Sequence, residues 1–134
     1  MSSLRPVTEA GSIADRLAAI RAVEGMRRAA RPPAPSSAKV ELVAGCTTGC
    51  SFCAATHRER AREFMSWDRY VKVAACLRRA GITQLGLFYM GESMEHPRLA
   101  DAIAHAKTEL GFPFVFLTAN ALAATPERVS ACID

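Results

Sequence analysis

Cys46, Cys50 and Cys53 fall within one short run, Cys46-Thr-Thr-Gly-Cys50-Ser-Phe-Cys53, directly after the apolar stretch Val40-Glu-Leu-Val-Ala44. Three thiolates in one loop make an odd set. A disulfide consumes two, a closed zinc site takes four ligands, and a cubane iron–sulfur cluster normally takes one Cys per iron. With three, one iron keeps an open coordination position, and an open position on a metal is where chemistry can happen. Zinc is the rival reading, with His57 as fourth ligand in the spacing Cys53-x3-His57, and it would give a small closed structural site. His57 otherwise reads as a solvated residue of the charged segment Thr56-His-Arg-Glu-Arg-Ala-Arg62. A catalytically inert α/β module that binds a nucleotide or a partner protein is a third reading, and it has no use for clustered thiols. Cys76 and Cys132 lie in expected helices, where a free Cys most often behaves as a small buried hydrophobe.

The rest of the composition narrows the class. Half of the 134 residues are hydrophobic and 22% are charged, so the chain reads as globular, sized for one domain or part of one. Charged residues interrupt nearly every window, and the uncharged run Leu110–Pro126 is broken by Gly111, Pro113 and Asn120, so no membrane span is expected. Asp15, Arg16, Arg21 and Glu24 punctuate the N-terminal helical pattern and argue against a secretory signal. Five cysteines without paired spacing then point to a reducing cytoplasm and to metal work over disulfides. The formal charge of +4 is concentrated at the start: residues 1–37 carry six Arg against Glu9, Asp15 and Glu24. No basic stripe interleaves with aromatics, so nothing points to nucleic acid.

The elements that must position the cysteines follow from periodicity. Ser12–Arg31 reads as a helix with Ile13, Leu17 and Ile20 on one face, followed by the breaker Arg31-Pro-Pro-Ala-Pro-Ser-Ser37, which makes residues 1–37 a helical arm and linker. From residue 38 short apolar strands alternate with amphipathic helices, the pattern of βα units on a parallel sheet. Strands are expected at Lys39–Ala44, Thr83–Tyr89 and Phe114–Thr118. Ser66 caps a helix to Ala80 with Tyr70, Val71, Ala74 and Leu77 inward; Pro97 opens a second helix with Leu99, Ile103 and Ala106 inward; Thr125-Pro-Glu-Arg begins a third. Glu95 and His96 read as capping or surface groups at the second helix. Phe64, Trp67 and Tyr70 read as core and staple residues of the first, and Leu85–Tyr89 as a buried strand. Functional residues of such sheets gather in loops at the strands' carboxyl ends. The cysteine loop, Gly91-Glu-Ser93 and Thr118-Ala-Asn120 all fall there, so three polar loops are expected on one rim.

A Cys-x3-Cys-x2-Cys loop with Phe52 before its last cysteine, after the first strand of a βα series, resembles the radical S-adenosylmethionine (radical SAM) superfamily. Tyr89-Met-Gly-Glu-Ser-Met-Glu-His-Pro97 looks like that family's Gly-Gly-Glu-Pro segment, with Met90 in place of the first Gly and Ser93 in place of the Pro. Leu117-Thr-Ala-Asn-Ala-Leu-Ala-Ala-Thr-Pro-Glu127 looks like its Thr-Asn-Gly segment. The resemblance implies an α/β fold: a partial TIM-type parallel barrel with only the first three βα units over residues 38–134, preceded by the N-terminal helix. Family members generally build about six such units, so the sequence reads as a truncated N-terminal half, inactive or poorly soluble alone. A soluble monomer cleaving SAM at an ordinary rate would refute that expectation.

The resemblance also implies a mechanism. Cys46, Cys50 and Cys53 would bind three irons of a [4Fe-4S] cluster, and the amino and carboxylate groups of SAM would chelate the fourth. Soft thiolates suit iron–sulfur chemistry, and the free iron is a Lewis acid for hard N and O donors. An electron passed to the sulfonium would break its C5′–S bond and leave a 5′-deoxyadenosyl radical that abstracts hydrogen from a substrate, making the protein an oxidoreductase. Met90, Gly91, Glu92 and Ser93 would meet the amino end of SAM, Glu92 as a positioning group. Phe52 would lie near the adenine, and Asn120 would reach a polar group of SAM. An electron donor such as flavodoxin or ferredoxin is implied as a partner. The substrate, a small molecule or a peptide, is not readable from these residues.

Overall fold

The computed structural model describes residues 35–58 and 61–133. The helix expected over Ser12–Arg31 lies outside the described residues. Strand β1 (Ser37–Lys39) is followed by β2 (Val43–Ala44), β3 (Glu63–Phe64), helix α1 (Trp67–Arg79), β4 (Gln84–Gly86), α2 (Leu99–Ala104), β5 (Phe114–Phe116) and α3 (Pro126–Ile133).

β1, β4 and β5 form a three-stranded parallel sheet in that order, with Ala38, Leu85 and Val115 in register across it. Parallel neighbours need a crossover, and α1 and α2 provide it. The ladder extends a residue past the strands: Val40 N–H donates to Gly86 O at 2.8 Å and Leu87 N–H to Phe116 O at 3.0 Å. This is the architecture of a partial parallel barrel with three βα units.

The core lies between the sheet and its helices. Leu85, Leu87, Val40 and Leu42 meet Tyr70 and Ala74 of α1, Leu99 and Ala102 of α2, and Phe112 of the following turn. The expected inner face of α1 is the one buried. Ser66 Oγ accepts the Arg69 N–H at 3.4 Å and fixes where α1 starts. Tyr70 crosses the layer to donate its hydroxyl to Ala102 O at 2.5 Å, and burial raises its ionisation far above the ordinary phenol range. α2 closes with a wide π-type turn over His105–Glu109. That turn carries His105 into an aromatic wall, 5.5 Å from the Trp67 ring and 5.7 Å from Tyr70. Thr125 caps α3, accepting the Arg128 N–H on its hydroxyl at 3.3 Å.

Several expectations need correction. The first strand is not continuous over Lys39–Ala44: its start joins the parallel sheet, while Val43 and Ala44 pair antiparallel with Phe64 and Glu63. Phe64 is 41% exposed, because on so short a ribbon its ring lies at the surface, edge-on to His96 at 5.7 Å. The second strand is buried through Leu87, but Tyr89 has turned outward and is 56% exposed. Cys76 is exposed too, sitting off the stripe that Tyr70, Ala74 and Leu77 define along α1. Cys132 does pack partly against the core, and desolvation raises its thiol's pKa.

Candidate functional site

The cysteine loop leaves β2 through Gly45, whose φ of +82° is a left-handed conformation that side chains resist. Two tight turns then wind it: Cys50 N–H donates to Thr48 O at 2.9 Å and Cys53 N–H to Cys50 O at 3.0 Å. Cys46, Cys50 and Cys53 are not joined in disulfides, and all three are half-buried. The Cys46 sulfur accepts the Thr48 N–H at 3.4 Å. Phe52, by contrast, projects away from the fold and is 91% exposed.

The loop after β4 presses its backbone against β2. A Cβ on Gly91 would stand 1.8 Å from Val43 O and 2.7 Å from Gly45 O, so no side chain fits there. Met90 N–H donates to Glu41 Oε1 at 3.1 Å on the segment leading into β2. Glu92 and Ser93 are buried. The Glu92 carboxylate is committed on both oxygens: Oε1 accepts Met94 N–H at 2.9 Å, and Oε2 accepts Asn120 N–H at 2.6 Å from the loop after β5. Asn120 reaches back in turn, donating from Nδ2 to Thr48 Oγ1 at 2.7 Å and toward Cys46 Sγ at 3.7 Å. The three loops expected on one rim therefore touch one another through Gly91, Glu92 and Asn120.

Glu95 and His96 do more than the surface reading allowed. Glu95 accepts Thr47 Oγ1–H at 2.8 Å and pairs with Arg62 at 2.7 Å, which ties the cysteine loop to the segment entering β3. His96 is buried; its Nδ1 accepts Arg98 N–H and its Nε2 meets Met65 O, both at 3.1 Å, which places the proton on Nε2. Arg128 of α3 donates to Met94 O and braces the same turn. No sequence signal flagged the Thr47–Glu95–Arg62 clamp, since its members are far apart in the chain.

His57 is exposed. Among the described residues no three His, Cys, Asp or Glu side chains are grouped to hold one metal ion. A cubane asks for something else, one thiolate per iron. Three soft sulfur donors on one turn-wound loop fit that demand.

A parallel sheet with a three-cysteine loop at its strand ends, cross-braced to the two neighbouring loops, defines a partial α/β barrel with a thiolate site on its carboxyl rim. The chain belongs to the radical SAM superfamily, whose profile matches residues 40–134. A crystal structure of BtrN in complex with AdoMet and 2-DOIA shares the fold, with a TM-score of 0.64 and 18% identity over 73% of this chain and 41% of that one. The chain thus spans about two-fifths of that protein's length. No curated protein matches the sequence. Among the described residues no helix is long and apolar enough to cross a membrane.

Proposed function

We propose that this chain forms the cofactor-binding part of a cytoplasmic radical SAM oxidoreductase. Cys46, Cys50 and Cys53 would each hold one iron of a [4Fe-4S] cluster, leaving the fourth for SAM. When bound, such a cluster supplies the electron that breaks the C5′–S bond of SAM, releasing a 5′-deoxyadenosyl radical for hydrogen abstraction. The observation that carries the reading is the physical junction of the three loops: Glu92 holds Asn120, and Asn120 holds the cysteine loop. A site for a two-part cofactor needs its cluster loop and its SAM loops in fixed register, because a small misplacement costs rate steeply.

The chain's own residues supply binding and orientation. Gly91 brings bare backbone against β2 and the start of the cysteine loop, and the segment Met90–Ser93 that it anchors would meet the amino end of SAM. Glu92 acts as a brace, since both of its oxygens already hold main-chain N–H groups. Phe52 offers an exposed ring on which an adenine would stack. A flavodoxin or ferredoxin would deliver the electron, and the substrate would be a small molecule or a peptide. The support for SAM is the family match together with the fold shared with BtrN, which was crystallised with AdoMet.

The test is oxygen-free reconstitution with iron and sulfide. Wild-type protein is expected to turn brown and to bind iron and sulfide in equal amounts. Cys50→Ala is expected to lose the cluster absorption. Tightly held zinc in place of iron, or iron retained by Cys50→Ala, overturns the proposal.

A further inference from the structure

We infer that Asn120 is a positioning residue for the Cys46 thiolate, one that sets the reduction potential of the cluster by hydrogen bonding to its ligand sulfur, and is not a SAM ligand. The inference rests on the cluster reading above and adds a role to it.

A side-chain amide has two N–H donors and one carbonyl acceptor. In Asn120 the Nδ2 group faces Thr48 Oγ1 at 2.7 Å and Cys46 Sγ at 3.7 Å, so its donors point into the cysteine loop. Its Oδ1 accepts the Leu122 N–H at 3.0 Å, and its own main-chain N–H is held by Glu92 at 2.6 Å. A polar group of SAM would have to displace one of these partners to reach the amide's donors. The same side chain is locked from behind, because Ala121 adopts a φ of 65°, the left-handed turn that lets Leu122 N–H fold back onto Oδ1.

The Cys46 sulfur thus receives two N–H groups, from Thr48 at 3.4 Å and from Asn120. Hydrogen bonds to ligand sulfurs are among the factors that set cluster potential. They favour the reduced state, whose extra negative charge spreads onto the sulfurs and is stabilised by each donor. Because Glu92 holds Asn120 from the loop expected to meet SAM, that loop and the Cys46 sulfur are joined through one residue.

The experiment compares wild-type, Asn120→Asp and Asn120→Ala proteins after reconstitution, with two readouts: redox titration of the cluster, and SAM affinity of the oxidised cluster by equilibrium binding. Both variants are expected to titrate at a lower potential than wild type. The shift should be larger for Asn120→Asp, which keeps the size and the Leu122 bond but puts a carboxylate beside the sulfur. SAM affinity is expected to hold in Asn120→Ala. An unchanged potential overturns the inference, and so does lost SAM affinity in Asn120→Ala, the result a SAM ligand would give. If either variant fails to fold, Asn120→Ser carries the same test. Wild-type protein that takes up no iron and sulfide overturns the cluster reading itself, which is a separate outcome.

Discussion

Leu85 and Glu92 lie on the same strand-and-loop segment and are almost equally withdrawn from water, 0% and 4% exposed, yet they are held by opposite means. Leu85 sits among apolar side chains from the sheet and its helices, and its burial is shared over many weak contacts. Glu92 is held by two hydrogen bonds to main-chain N–H groups on two different loops. The helix-covered face is therefore redundant, and loss of one member leaves the rest in place. The rim depends on a few directional bonds and one close backbone contact, so a small chemical change there moves a whole loop.

Gly91 offers the strongest way to break that contrast. In Gly91→Ala the new methyl would collide with Val43 O and Gly45 O, which are backbone atoms with nowhere to go. The loss of stability should equal or exceed that of Phe112→Ala, a buried aromatic truncation expected to cost about 3–5 kcal/mol. Urea unfolding of the two variants makes the comparison. The second readout is iron bound per folded molecule: Phe112→Ala should keep the wild-type value, since Phe112 belongs to the core, while Gly91→Ala should lose it. Equal iron uptake by both would mean that the β2 contact does not set the loop.

Glu92→Gln makes a subtler change at the same place. The amide keeps one acceptor but turns an NH2 toward either Met94 N–H or Asn120 N–H, which leaves a buried donor facing a donor. The expected cost is about 1–3 kcal/mol. Hydrogen exchange locates it: the Asn120 or Met94 amide should lose protection while the Leu85 and Leu87 amides keep theirs. Uniform loss across all four would show that the rim and the core open together.

The same contrast explains what could be read from the sequence. Helices α1 and α2 and the three parallel strands announce themselves because burial imposes a period, and the caps Ser66 and Thr125 mark where α1 and α3 begin, although α3 buries no residue. The cysteine loop and its two neighbours were placed on one rim because parallel strands put their following loops at the same end. The β2–β3 pair was missed, since Glu63 and Phe64 follow a charged segment with no alternation and pair only through tertiary contact. Cys76 departs from the buried expectation because helical phase, not residue type, decides its exposure, and that phase sets it apart from Ala74 and Leu77. Glu95 and Asn120 were placed on the right loops with incomplete partners, because hydrogen bonds between distant segments leave no periodic trace.

Ala121→Gly carries the smallest effect and the opposite sign. Ala121 is the one described residue other than glycine with positive φ. For an L-residue with a side chain that conformation costs roughly 1–2 kcal/mol. Glycine removes the strain but gives back about 0.4–1 kcal/mol through the greater freedom of its unfolded chain. The variant should therefore gain somewhat under about 1.5 kcal/mol, seen as a higher urea midpoint with an unchanged slope. The origin of the strain is open to test in the same assay. If the Asn120 side chain imposes it by holding Leu122 N–H, then Ala121 can relax once that side chain is gone, and Ala121→Gly should gain less in an Asn120→Ala background. A double-mutant cycle should then show coupling between the two neighbours. Full additivity would place the strain in the turn itself and would leave the rim with one internal brace fewer.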